Sequence, residues 1–183
     1  MKFSYHFNSF LREVYDAPKA AEDYLREERK KIASSDLNLA VRLMSELGNI
    51  ARILGKLVES ELILEKALRE FAKTELSESF LMILSLRYAH VLQFQKRFAE
   101  SNQIISKVIE RCENETDLKS NLHLAYQYSG RNLFDQGFYK EALRFFEKAK
   151  SLQETSHPKF LRDTLDAINI TNSALQASRS DGS

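Results

Sequence analysis

Asn49, His90 and Arg131 recur at a spacing of 41 residues, and this ladder is the part of the chain best equipped for chemistry. At about 100° per residue, each shares one helical face with other polar and apolar groups. In the first segment these are Arg42, Ser45, Arg52 and Ile53. In the second they are Ile83, Leu86, Gln93 and Phe94, with Arg87 at the edge. In the third they are Leu124, Gln127, Phe134 and Asp135. Guanidinium forks and an asparagine amide grip carboxylates and backbone amides. Phe94, Phe134 and Leu86 add apolar anchorage. This is the chemistry of recognition, not of bond-making. The candidate binding residues are Asn49, Arg52, Arg87, His90, Phe94, Arg131 and Phe134, and the expected partner is a protein or peptide that carries acidic groups. His90, at an ordinary pKa of about 6.5, is expected to strengthen such binding on protonation.

Catalysis finds no support in the residues. There is no phosphate-binding loop, no G-x-S-x-G elbow and no H-E-x-x-H pair. His6, His90, His123 and His157 are far apart, and none has a second ligand at helical spacing. The chain is therefore read as not an enzyme, with no catalytic residue, metal or cofactor. Cys112, beside Arg111, falls near the end of an expected helix, where the dipole disfavours a thiolate. Packing is its expected role, and a single cysteine forms no intrachain disulfide. A net charge of +1 gives no bulk attraction to nucleic acid or anionic membrane, and the mixed-sign run Arg26 to Lys31 reads as an exposed helical face. No stretch reaches the roughly 18 apolar residues of a membrane span. The opening MKFSYHFNSFLREVY is interrupted by Asn8, Arg12 and Glu13, unlike a secretory signal. A cytoplasmic protein without nucleic-acid or membrane partners is expected.

The elements that must position the ladder follow from composition and columns. With five glycines and two prolines, and with Glu, Lys, Leu and Ala abundant, the chain reads as all-helical. Leu47-Gly48 is in register with Tyr88-Ala89 and Ser129-Gly130, and Gly55 with Lys96 and Gly137. Leu64 aligns with Ile105 and Phe146, Ser60 with Ser101 and Ala142, and Ala67 with Val108 and Ala149. Small and large residues in fixed columns are the mark of a stacked helical repeat. Start signals at Asp36, Thr74 to Ser77 and Thr116-Asp117 divide the chain into helix pairs over residues 36–75, 76–116 and 117–156. Residues 1–35 read as a degenerate helix pair, with Ala20 and Tyr24 standing for Ser60 and Leu64. Residues 157–177 read as a capping helix with one apolar stripe, and residues 178–183 as a disordered tail. Nine helices are expected in one domain, 1–177. The apolar excess between Phe3 and Tyr15 exceeds what one helix can hide. It is expected to pack within the chain or on a second copy, with monomer favoured over homodimer.

The stretch from Tyr126 to Leu152, YQYSGRNLFDQGFYKEALRFFEKAKSL, resembles the tetratricopeptide repeat family. The resemblance is carried by Gly130, the Gly137-Phe138-Tyr139 turn, Glu141-Ala142, Phe146 and Ala149. Leu47-Gly48, Gly55 and Ala67-Leu68 carry it in the first copy, while the second has Lys96 at the turn glycine. The period of 41 is similar to the longer-helix variants of kinesin light chains and bacterial peptide-sensing regulators. The resemblance implies an α-solenoid wound as a right-handed superhelix, whose first helices line a concave groove. It also implies a non-catalytic scaffold that binds a peptide or protein segment there. A peptide-sensing regulator similar to the bacterial Rap-type proteins and a self-assembling module are the alternatives. Lysines are missing from the concave columns, so the resemblance does not extend to recognition of chaperone C-termini.

Overall fold

The computed structural model describes residues 3–180, which form eight α-helices and a single two-stranded sheet. The helices are α1 (Pro18–Lys31), α2 (Leu37–Ile53), α3 (Leu57–Phe71), α4 (Glu78–Phe94), α5 (Phe98–Asn114), α6 (Leu122–Asp135), α7 (Tyr139–Ser156) and α8 (Leu161–Ser180). Each packs against the next, and α2, α4 and α6 also touch in turn. Asp36 caps α2 by accepting the Leu39 N–H at 3.0 Å, and Ser77 caps α4 by accepting that of Phe80 at 3.3 Å.

The three aligned turns close α2, α4 and α6 in the same way. Gly55, Lys96 and Gly137 all have positive φ, at 76°, 63° and 80°. The next N–H reaches back to Ala51, Leu92 and Leu133 at 2.9–3.0 Å, the long hydrogen bond of a Schellman cap. Two of these positions carry the glycine that left-handed backbone favours, and Lys96 adopts it without one.

The small-large columns are contacts. A Cβ at Gly48 would lie 2.5 Å from Leu64 Cγ, and one at Gly130 would lie 2.6 Å from the Phe146 ring. Leu64 and Phe146 are fully buried because their partner helix has no side chain there. Val41, Met44, Ile63, Leu64 and Ala67 form a core that continues into α4. Met82, Leu86, Ala89, Ile105 and Val108 continue it into α6, with Cys112 fully buried. Burial pushes the Cys112 thiol up to about 11, so it stays protonated.

The N-terminal segment of this organisation differs from the sequence reading. The described residues of the expected 1–35 pair, 3–35, do not form two helices. Strands β1 (Tyr5–Phe7) and β2 (Glu13–Tyr15) form an antiparallel hairpin, with Tyr5 opposite Tyr15 and Phe7 opposite Glu13. Asn8 holds the turn: its side-chain oxygen accepts the N–H groups of Phe10 and Arg12, at 2.9 and 3.1 Å. Only α1 occupies the place of a repeat helix, and its buried residues are Ala21 and Leu25, each one later than expected. At the other end α8 continues to Ser180, so the expected tail begins as helix; residues 181–183 lie outside the described residues.

Candidate functional site

The hairpin lies across the face that carries the ladder. Glu13 enters between α2 and α6. Arg52 Nη1 donates to Glu13 Oε2 and Arg131 Nη1 to Oε1, both at 2.9 Å. Arg52 is 1% exposed and Glu13 8%. Asn49 holds the Arg52 fork by accepting its Nη2 at 3.0 Å. Burial alone would raise the Glu13 carboxyl, but the Arg52 and Arg131 guanidiniums more than offset it and hold the pKa well below the ordinary 4.5.

The turn of the hairpin covers the adjoining ends of α4 and α6. Arg12 forks onto Asp135 at 2.8 and 2.9 Å, and Asp135 also accepts Gln93 Nε2 at 2.8 Å. The Phe94 ring is faced by two guanidiniums, Arg12 at 4.3 Å and Arg52 at 4.8 Å. Arg131 stacks on Phe7 at 4.7 Å. Leu11 sinks among Phe134, Phe146 and Ala167, and Tyr5 donates its hydroxyl to Asp163 of α8. One short hairpin therefore touches α2, α4, α6 and α8 together.

This arrangement places each candidate residue. Arg52, Arg131, Phe94 and Phe134 are brought together on one face and are contacted there by the chain's own residues 5–15, while Asn49 joins them by accepting from Arg52. His90 stands edge-on to Phe94 and Tyr128, at 5.0 and 4.7 Å, and neither ring nitrogen has a partner. Burial, with the Arg52 charge behind it, holds its pKa well below 6.5, so the expected gain of charge near that pH does not occur. Leu86 packs into the α4–α5 core and offers no apolar contact on this face. Of the three candidate arginines, Arg87 has no ion pair among the described residues; its Nη1 donates to Ser45 Oγ at 2.7 Å.

Glu13, Arg12 and Leu11 are the contributors that the sequence reading missed. A signal was present: Phe3, Tyr5 and Phe7 alternate with Ser4 and His6 ahead of the turn-forming Asn8.

The hairpin does not fill the whole face. Three adjoining cavities run beside it, of about 480, 240 and 560 Å³. The first and second share Asn49 and Arg87, and the second and third share Tyr5, Phe160 and Asp163. The walls of the first two come from α2, α4 and α6, and those of the third from the start of α8, with Phe3, Tyr5 and Tyr15 of the N-terminal segment opposite.

The histidines are less dispersed than their numbering. His123 stacks on His157 at 4.3 Å and meets Gln153 Nε2 at 3.1 Å. Burial, with His157 and Lys159 adding to it, lowers His123 to about 4. Among the described residues, no group of three or more His, Cys, Asp or Glu side chains could hold a metal ion, and no helix is long and apolar enough to cross a membrane. No family model, no curated protein and no solved structure matches the chain.

Proposed function

We propose that the chain is a non-catalytic interaction scaffold that binds an extended protein segment in the cleft beside its hairpin. In this reading the stacked pairs form a tetratricopeptide-like right-handed solenoid, α8 is its cap, and α2, α4 and α6 line its concave face. The observation that carries the reading is the run of three cavities sharing their lining residues. Packed helices lie about 8–10 Å apart, so a path from α2 across α4 and α6 to α8 spans roughly 25–30 Å. Extended chain covers that in about eight or nine residues at ~3.3 Å each. Phe80, Ile83, Leu124 and Phe160 are half-buried along the path and offer apolar contact to alternate side chains. The hairpin serves as one wall of the site and as a strut that fixes the spacing of α2 and α8.

A cytoplasmic monomer is the form we propose. Leu11 and Tyr15, part of the N-terminal apolar excess, are buried within the chain and need no second copy. The test is a display library of random nonapeptides selected against the full chain, followed by amide-shift mapping. The expected result is a set of shifts centred on Ile83, Leu124 and the edges of the hairpin, and loss of binding in Ile83→Glu. Shifts confined to α3, α5 and α7 would sink the reading.

A further inference from the structure

Four arginines approach the hairpin from inside the molecule or from its own turn, and three of them are ion-paired. Arg52 and Arg131 share Glu13, and Arg12 takes Asp135. Arg87 has only a serine hydroxyl. A guanidinium held in a part-buried cleft without a direct ion-pair partner is an unusual arrangement, because desolvation favours pairing. It is not a surface residue left to water: burial is the leading influence on its titration and pulls it below its ordinary value.

Other unmatched donors lie around the same cavity of about 480 Å³. Tyr15 is 3% exposed, lines that cavity, and its hydroxyl has no hydrogen-bond partner. Burial pushes this hydroxyl up to about 12, so it remains a donor at neutral pH. Asn49 spends its amide oxygen on Arg52, which leaves its NH₂ to donate. Arg42 stands at the mouth, its guanidinium 5.2 Å from the Phe80 ring and without an ion pair among the described residues. The one acid on the wall, Glu46, accepts the Tyr24 hydroxyl at 3.1 Å. Two cations against one anion leave a single positive charge, matched to a single negative one. Phe3, Ile50 and Phe80 make the rest of the lining apolar.

We infer that Arg87 is a carboxylate anchor, at which the bound segment places one carboxylate carried on an apolar stretch. This rests on the cleft reading above and adds the chemistry of the partner. The carboxylate accepts from Arg87, and it supplies the acceptor that the Tyr15 hydroxyl lacks and that the Asn49 NH₂ can also use. A side-chain carboxylate and a chain terminus present the same group, so the test has an arm for each.

Three fluorescein-labelled nonapeptides of alternating leucine and serine serve as probes for the full chain, read by fluorescence anisotropy. One has a central glutamate and an amidated end, one a central glutamine and a free C-terminal carboxylate, and one a central glutamine and an amidated end. At least one carboxylate form is expected to bind about tenfold or more tighter than the uncharged peptide, equivalent to about 1.4 kcal/mol. Arg87→Gln should erase that preference. Tyr15→Phe, which keeps the ring, should reduce it severalfold. Arg144→Gln, an exposed charge on α7, should leave it unchanged. Equal binding of all three peptides, unmoved by Arg87→Gln, overturns the anchor and leaves the cleft standing. Absence of binding by all three at millimolar concentration overturns the anchor and the cleft together. Circular dichroism of each variant separates loss of the anchor from loss of the fold.

Discussion

Replacing Glu13 by Gln should destabilise the protein by about 3–5 kcal/mol, the usual cost of removing one partner from a buried ion pair. The substitution keeps the shape and removes the charge. One amide oxygen can still accept from Arg52 or from Arg131, but not from both as the carboxylate does at 2.9 Å each. The amide NH₂ then faces the other guanidinium, donor against donor. Two buried cations lose their counter-charge, and each has charge-assisted hydrogen bonds worth roughly 1.5–3 kcal/mol. Unseating of the hairpin would limit the loss, because water could then reach Arg52 and Arg131. An isolated two-stranded hairpin is marginal by itself, so that route ends in disorder of residues 5–15. Two readouts therefore belong together. Urea unfolding at pH 7 should show the destabilisation, with a fall in Tm of about 10 °C at 2–4 °C per kcal/mol. Hydrogen exchange should show reduced protection of the hairpin amides. The pH dependence has a fixed sign. The folded pKa of Glu13 is depressed, so its contribution is fully present above the ordinary value of 4.5 and is lost as pH falls through the folded value. The difference between wild type and Glu13→Gln should be constant from pH 7 to 5 and should shrink in stronger acid. A change under about 1 kcal/mol with unaltered hairpin protection would refute the reasoning, since exposed pairs behave that way.

Other expectations concern the repeat itself and its buried histidines. Gly48→Ala should destabilise by about 1–3 kcal/mol despite its better helix propensity, because the new Cβ meets Leu64 at 2.5 Å. Leu64→Ala alone should cost about 2–5 kcal/mol, and the double variant should fall well short of the sum; strict additivity in urea titrations would mean that the two side chains do not meet. Lys96→Gly should stabilise by about 0.5–1 kcal/mol by relieving a φ of 63°, so a lower Tm would argue against the left-handed turn. His90 and His123 both have depressed folded pKa values, so the stability they confer is full above about 6.5 and declines as pH falls below it. Each can contribute a slope of up to about 1.4 kcal/mol per pH unit. Chemical denaturation of His90→Leu between pH 7 and 5 should show a shallower slope than wild type, and an equal slope would place the titration elsewhere.

The helical pairs were legible in the sequence because their determinants are local or periodic. Asp36 and Ser77 announce helix starts through their own backbone hydrogen bonds. Gly55 and Gly137 announce turns that need positive φ, and the small-large columns at Gly48 and Leu64 repeat because each helix must meet its neighbour at the same depth. The polar face of α2, α4 and α6 was legible for the same reason, since helical angles follow from numbering. Its occupant was not. Glu13 and Arg131 are 118 residues apart, and Tyr5 and Asp163 are 158 apart. Nothing in the spacing of either pair says that they meet. Alternation in Phe3-Ser4-Tyr5-His6-Phe7 was too short to outweigh the helical composition around it, and it became a strand only when a partner strand and a receiving face were available. Tertiary structure decided which arginines were already matched. Arg52, Arg87 and Arg131 share a face in sequence, yet burial against Glu13 satisfied two of them and left Arg87 to line an open cleft. The reason is electrostatic: a charge takes its character from the nearest opposite charge and from the water it has lost, and both are set by how distant segments pack.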